Sequence, residues 1–212
     1  LRFVDDKSLS GRRRWVVRNT RMLTFITAIS SLIAGYFAMI LSLKILMFLL
    51  PVALISVGYS IPVFFGKRLR DFPTIKIYLI AIVVALVVVV LPAMGKEVLI
   101  DELFMLLVVQ VLFILGITIP FDIRDINVDT NDLKTIPILL GVRNSKILAM
   151  LLLFSCSVIS VIFLRDGIGI AASGLIAIIP VWYSGPDRGD YYFPLLLEGM
   201  MILQFLFVLT CS

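Results

Sequence analysis

The segment that decides the fold joins an apolar run to an acidic one: LFMLLVVQVLFILGITIPF (103–121) is followed by DIRDINVDTNDLKT (122–135). At 1.5 Å per residue, a helix over the apolar part is about 28 Å long, which is enough to cross the hydrocarbon core of a bilayer. The polar part begins where such a helix leaves the membrane. We therefore predict a membrane-spanning helix that carries a cluster of carboxylates at one end.

Similar apolar runs recur along all 212 residues, of which 61% are hydrophobic and 16% are charged. An average soluble domain has about a quarter of its residues charged. Backbone groups in lipid must pair internally, and the runs lack the alternation of barrel strands, so helices are expected. We predict an all-α, polytopic transmembrane bundle that forms a single domain over 1–212, with seven spans at 22–41, 45–65, 75–94, 103–121, 146–164, 167–184 and 192–211.

The basic residues are distributed unevenly between the two sides of this predicted bundle. Sixteen of the 19 Lys and Arg residues fall on the side that carries 1–21, 66–75, 122–145 and 185–191, with Lys76 and Lys146 at the adjoining ends of spans counted on that side. The positive-inside rule assigns that side to the cytoplasm. The net charge of +5 thus reflects membrane topology, not nucleic-acid binding. We expect an integral membrane protein, of a bacterial inner membrane, whose polar loops open to the cytoplasm.

The acidic segment places three aspartates at helical spacing. Asp122, Asp125 and Asp129 are spaced i, i+3 and i+7, so a helix that continues past the membrane puts them on one face. Carboxylates this close repel each other and need a nearby cation. Mg²⁺ suits the position because it binds carboxylate oxygens and bridges to substrate phosphates. The alternatives are neutralisation by Arg124 and Lys134, or a solvated loop with chance spacing.

A second polar segment, YSIPVFFGKRLRDFPTIK (59–76), opens on the same side. Lys67, Arg68 and Arg70 can hold a polyanion, since Arg offers bidentate phosphate contacts and Lys a point charge. A positive-inside anchor is the alternative interpretation. Together with the carboxylates, this loop predicts a substrate with a diphosphate head and a long apolar tail. When the diphosphate leaves, the ring of Tyr59 could stabilise the allylic cation.

These motifs resemble those of the UbiA-type intramembrane prenyltransferases. The Tyr-Ser-x-Pro stretch of that family, with its basic run, is similar to residues 59–70. Its second Asp-rich motif is similar to Arg124-Asp125-Ile-Asn-Val-Asp129 followed by Lys134-Thr135-Ile136-Pro137 and Gly141. The resemblance covers the whole chain. It implies a nine-helix fold in which the seven spans correspond to the third through ninth helices.

The resemblance implies an Mg²⁺-dependent prenyltransferase that transfers a polyprenyl group from an isoprenoid diphosphate. The acceptor would be a lipophilic or aromatic molecule such as a quinone precursor. The implied catalytic residues are Asp125, Asp129 and Tyr59, the metal ligands are Asp122, Asp125 and Asp129, and the diphosphate-binding residues are Lys67, Arg68, Arg70, Arg124 and Lys134.

The first Asp-rich motif of the family, Asn-Asp-x-x-x-Asp, has no counterpart in residues 1–21, where Asp5 and Asp6 lack the Asn and the spacing. We expect that motif to precede Leu1, in which case the chain is N-terminally incomplete. The alternative is a non-catalytic relative that binds isoprenoid or membrane lipid, with a degenerate first metal site. A transporter is a third hypothesis. Transporters typically carry ionisable residues at mid-bilayer depth, whereas the carboxylates of this chain lie at the ends of predicted helices.

Overall fold

The computed structural model describes residues 11–62, 69, 72, 75–96, 99–126, 135–189 and 191–211, with the backbone alone at 11–14. These residues form helices joined by short turns, and none of those described lies in a β-strand. The chain divides into two compact units, residues 1–51 and 52–212.

The first unit contains α1 (Gly11–Arg18), α2 (Thr20–Ile40) and the first residues of α3 (Leu43–Ser60). No residue of α2 is buried, and its large apolar side chains, among them Phe25, Leu32 and Met39, are exposed. A helix that is apolar on every side is suited to apolar surroundings. The surface of α2 is therefore that of a membrane span.

The second unit is a helical bundle. After the end of α3 it contains α4 (Ile75–Ala85), a π-helical segment (Leu86–Val90), α5 (Leu91–Ala93), α6 (Ile100–Asp125), α7 (Ile136–Phe163), α8 (Gly167–Tyr183), a second π-helical segment (Phe193–Glu198) and α9 (Gly199–Cys211). α6 is central because it packs against α4, α7 and α8, while α8 also packs against α7 and α9. The core consists of fully buried apolar side chains such as Ile77, Val109, Phe113, Leu153, Val181, Phe193 and Leu197.

Six helices in the described part of the chain are long and apolar enough to cross a membrane: Thr20–Ile40, Leu43–Ser60, Ile75–Ala93, Ile100–Asp125, Ile136–Phe163 and Phe193–Cys211. The predicted span 167–184 forms α8, which is shorter at 17 residues. The all-α polytopic bundle is thus confirmed, and the number of spans differs by this one helix. Several limits also differ. The largest differences are the start of α7 at Ile136 rather than at 146, the end of α3 at Ser60 rather than at 65, and the end of α6 at Asp125 rather than at 121.

α7 is kinked at Gly141, where φ is 78° and ψ is 159°. Gly adopts a positive φ readily because it has no Cβ. Pro137 lies in the first turn of the helix, where its missing N–H costs no hydrogen bond. Residues 136–140 therefore form a short helical turn that is set at an angle to the long part of α7.

Small residues bring α8 close to its neighbours. A Cβ on Gly167 would collide with the carbonyl oxygen of Ser160 in α7, and one on Gly169 would lie 2.6 Å from the carbonyl oxygen of Phe207 in α9. Such contacts let helix backbones approach closely where lipid offers little drive for association. The small residues of 167–174 are therefore packing residues.

A buried hydrogen bond also joins α6 to α9. Gln110 Nε2 donates to Gln204 Oε1 at 3.2 Å, and both side chains are buried. Polar side chains inside apolar spans are stabilised by such interhelical bonds. Gln110 therefore has a structural partner.

The close approach of α8 and α9 can be tested with Gly169→Ala. The added methyl group must push the two helices apart, so we expect the free energy of unfolding to fall by about 1–3 kcal/mol. Thermal unfolding of the purified protein in detergent measures the loss. Gly199→Ala is the matched control, because a Cβ there meets nothing within 4 Å. Equal transition temperatures for the two variants would contradict the close packing.

Candidate functional site

A buried ion pair joins the start of α4 to the end of α6. Lys76 Nζ donates to Asp122 Oδ1 at 3.0 Å. The Asp122 side chain is only 2% exposed. A carboxylate in such surroundings is costly unless a cation compensates it and hydrogen bonds satisfy its oxygens. Lys76 supplies both the charge and a donor.

The next turn of α6 carries a second pair. Arg124 donates from Nε to Asp125 Oδ1 at 2.7 Å and from Nη2 to Oδ2 at 3.1 Å. Its guanidinium group also lies over two rings, 5.4 Å from the centroid of Phe121 and 5.3 Å from that of Phe193. The bidentate bond and the two rings hold the guanidinium in a defined orientation. With 32% of its side chain exposed, Asp125 is far more accessible than Asp122.

Tyr59 lies near the same groups. It is half-buried near the end of α3. Tyr59, Asp122 and Asp125 all lie within electrostatic range of Lys76. We call these residues the α6-end cluster: Tyr59, Lys76, Asp122, Arg124 and Asp125. It combines two carboxylates, two cations and a phenol at one end of the second unit.

The structure describes four of the nine predicted site residues and brings all four into this cluster: Tyr59, Asp122, Arg124 and Asp125. The other five, Lys67, Arg68, Arg70, Asp129 and Lys134, lie outside the described residues. Their roles stay predictions.

Sequence reasoning misses two members of the surroundings, Lys76 and Phe193. Lys76 counts as a loop cation in the charge distribution, yet it lies one residue inside the predicted span 75–94. An ionisable residue inside a span is itself a signal, because it requires a partner. Phe193 has no such signal, since it is one of 15 Phe residues in an apolar chain.

The oxygen donors of the cluster suit Mg²⁺. Carboxylates are the protein ligands that this ion prefers, and Asp122 and Asp125 lie one helical turn apart. Within the described residues, no group of three His, Cys, Asp or Glu side chains is arranged to hold a metal. Asp122 is enclosed against Lys76 and both oxygens of Asp125 accept from Arg124, so a metal site here needs a further ligand. That is the role predicted for Asp129, and it stays a prediction.

Comparison with protein families identifies the chain. The model of the UbiA prenyltransferase family matches residues 9–186. This protein belongs to the UbiA prenyltransferase family. The match confirms the resemblance drawn from residues 59–70 and 124–141. As a UbiA family member, the chain is an integral, multi-pass membrane protein with a prenyltransferase-type function, in a family that generally uses Mg²⁺. No curated protein and no solved structure matches the chain significantly.

Lys76→Met tests the buried ion pair. Removing the cation breaks the ion pair of the buried Asp122, and the loss of one partner of a buried pair typically costs about 3–5 kcal/mol of stability. We expect Lys76→Met to lower the unfolding temperature strongly in detergent, and the double variant Lys76→Met/Asp122→Asn to recover much of the loss.

Lys44→Met serves as the control for that experiment. Lys44 is exposed at the second position of α3, so the same change there should alter stability by less than about 0.5 kcal/mol. If Lys76→Met and Lys44→Met had equal effects, or if the double variant were the least stable of all, the ion pair would not compensate Asp122 as we infer.

Proposed function

We propose that this UbiA family member transfers a polyprenyl group from an isoprenoid diphosphate to a lipophilic or aromatic acceptor such as a quinone precursor. The observation that supports the proposal is the α6-end cluster, which gathers two carboxylates and two cations at the end of an apolar bundle. A prenyl diphosphate needs cations and metal ligands for its head and apolar surroundings for its tail. Both kinds of surroundings are present in the second unit.

An apolar cleft between α4 and α6 supports the tail-binding part of this proposal. It has a volume of about 320 Å³ and borders the same two helices that the Lys76–Asp122 pair joins. Burial of apolar surface contributes roughly 25 cal/mol per Å², so each isoprene unit that enters a cleft of this kind strengthens binding. The residues that line it include Ile82, Ala85, Leu86, Phe104, Val108 and Leu112.

The carboxylates are proposed to hold the metal. Asp125 and Asp129, with Asp122, would bind Mg²⁺, which when bound neutralises negative charge on the diphosphate. Asp125 is the most available of these in the described part of the chain, because Asp122 is buried against Lys76. Lys76 offsets the free-energy cost of burying the charged carboxylate of Asp122.

Cations are proposed to bind the diphosphate itself. Arg124 is held by Asp125 and by two aromatic rings, so its orientation is fixed before substrate binds. Preorganised donors of this kind stabilise a leaving group without reorganisation during the reaction. The other proposed contacts come from the two polar loops: Lys67, Arg68, Arg70 and Lys134.

In the proposed reaction, the bond between C1 of the prenyl group and the bridging oxygen of the diphosphate breaks. The electron pair leaves with the diphosphate, and an allylic cation remains on the prenyl group. A nucleophilic atom of the acceptor then bonds to C1, and the acceptor releases a proton. The role proposed for Tyr59 is to stabilise the allylic cation through its ring face.

The internal pairing of the carboxylates favours a second candidate function. Asp122 and Asp125 are each bound to a cation of the chain itself, Lys76 and Arg124 respectively. In a UbiA-like protein that binds isoprenoid or lipid without catalysis, these ion pairs would stay formed and the carboxylates would not bind a metal. The two candidates differ in whether Asp125 supports a metal-dependent turnover.

We also propose the orientation of the protein in its membrane. The α6-end cluster lies at the end of α6 from which the basic segment 122–145 follows. By the positive-inside rule this end faces the cytoplasm, here of a bacterial inner membrane. Water-soluble diphosphate would then be released to the cytoplasm.

The proposed activity can be measured with the purified chain in detergent. Radiolabelled prenyl diphosphates of several lengths are incubated with a panel of aromatic and quinone-ring acceptors, with Mg²⁺ or with EDTA. We expect a prenylated product that requires Mg²⁺. Asp125→Asn should reduce its formation about 100-fold, since metal-ion stabilisation of a leaving diphosphate is worth several kcal/mol.

Asp101→Asn provides the matched control, because Asp101 is an exposed aspartate in the first turn of the same helix. This variant should retain the activity of the unchanged protein. Binding of labelled prenyl diphosphate without any product would support the second candidate function. Product formation that Asp125→Asn does not reduce would overturn the assignment of Asp125.

A further inference from the structure

A polar cleft at the C-terminal end of α8 is unconnected with the proposed reaction. Its volume is about 400 Å³, and it is lined by Lys146 of α7, Trp182 and Tyr183 of α8, and Ser184, Gly185, Asp187 and Arg188 of the loop that follows. None of these residues belongs to the α6-end cluster. The cleft opens at the same end of the second unit as that cluster, because α6 and α8 both end there while α7 begins there.

Side chains satisfy the carbonyl groups that the last turn of α8 leaves exposed. Helix C-termini lack internal donors for their final carbonyls and attract cations. The pairs, given as acceptor and donor, are Pro180 O with Tyr192 Oη at 2.6 Å, Val181 O with Ser184 Oγ at 2.7 Å, Trp182 O with Lys146 Nζ at 3.2 Å and Tyr183 O with Arg188 Nε at 2.9 Å.

These bonds hold two cations at the cleft while using few of their donors. Arg188 binds through Nε and lies over the ring of Tyr192 at 5.5 Å, and its terminal nitrogens bond to no other described residue. Lys146 uses one of the three N–H groups of an ammonium. Arg188 and Lys146 also act on each other electrostatically, and their charges repel. An anion between them would relieve this repulsion and take up the remaining donors.

The lining carries one opposing charge among the described residues, the exposed carboxylate of Asp187. Two cations against one carboxylate leave the cleft positive. The paired donors also suit the geometry of a phosphate group, since Arg can bind two of its oxygens at once while Lys supplies a point charge.

Aromatic side chains put the cleft at the level of lipid headgroups. Trp182 and Tyr183 line it and are 58% and 57% exposed, and Tyr191 beyond the loop is 85% exposed. Trp and Tyr are enriched where the apolar core of a bilayer meets its headgroups. Basic pockets between helices at this level bind the headgroups of anionic lipids.

We propose that the cleft formed by Lys146, Trp182 and Arg188 binds a phosphate group, and that its occupant is the headgroup of an anionic phospholipid. A soluble phosphate or diphosphate shares the chemistry of the headgroup but gains nothing from the aromatic rim. A phospholipid gains both the ionic contacts and the apolar ones, because its phosphate meets Lys146 and Arg188 while its chains lie along the exposed faces of Trp182 and Tyr183.

Trp182 itself reports on the occupant. The chain has two Trp residues, so Trp15→Phe leaves Trp182 as the sole source of Trp emission. This variant is reconstituted into phosphatidylcholine vesicles that contain a small fraction of a lipid with brominated chains, which quench Trp on contact. One series uses brominated phosphatidylglycerol and the other brominated phosphatidylcholine at equal fractions.

We expect brominated phosphatidylglycerol to reach half-maximal quenching at a mole fraction about 25-fold lower than brominated phosphatidylcholine, since each of the two basic residues contributes about fivefold to anionic-lipid binding. Arg188→Gln and Lys146→Gln should each remove about fivefold of the preference. Arg188→Lys, which keeps the charge, should retain most of it. Arg143→Gln is the matched control, because Arg143 is exposed one turn earlier in α7 and does not line the cleft; it should retain the full preference.

Equal quenching by the two brominated lipids in the Trp15→Phe protein would overturn the proposal. This comparison uses an unchanged cleft, so it tests the proposal even if a cleft variant fails to fold. A loss from Arg143→Gln as large as that from Arg188→Gln would overturn it too, because attraction would then be spread over the basic surface. Inorganic diphosphate and sulfate are added at equal ionic strength in a third series. If diphosphate alone restores the emission, the occupant is a soluble phosphate and the lipid assignment fails.

Discussion

The arrangement of the second unit depends on the compensation of one buried carboxylate. Asp122 is almost fully enclosed at the end of the central helix α6, and a charge in that position cannot remain alone. Its partner Lys76 must therefore stand beside it, which fixes where α4 begins relative to the end of α6. In the following turn, Arg124 meets Asp125 and the ring of Phe193. Electrostatic compensation at this point thus joins the start of α4 to the end of α6 beside the candidate site.

Much of the fold follows from composition, because lipid admits few backbone structures. The apolar runs predict the helices, and the positions of α2 and of the span Phe193–Cys211 agree with them closely. The start of α7 does not follow, since Arg143 and Lys146 lower the local hydropathy although both lie on a helix. Hydropathy counts charges, whereas a helix near a membrane surface tolerates them when they reach polar groups, as Lys146 reaches the carbonyl of Trp182.

In the candidate site, too, features set by neighbouring residues could be predicted from the sequence, whereas contacts between distant residues could not. The spacing of Asp122 and Asp125 is local, and it predicts correctly that they share the end of one helix. Their partners are not predictable in the same way. Arg124 is adjacent in sequence but could have faced substrate alone, and Lys76 is 46 residues away from Asp122, so that pair depends on how two helices pack. Asp129 and the basic loop lie outside the described residues, and their part in the site stays a prediction.

The two polar regions at this end of the second unit differ in charge balance, and the difference suits the ligands proposed for them. In the α6-end cluster two cations face two carboxylates, so a metal ion and a diphosphate can enter together without a large change in net charge. In the cleft beside α8 two cations face helix carbonyls, which orient them without cancelling their charge, and Asp187 offsets only one. An anion can therefore bind there without a metal. A carboxylate partner holds a cation more strongly but cancels its charge, whereas a carbonyl partner orients the cation and leaves its charge to attract a phosphate.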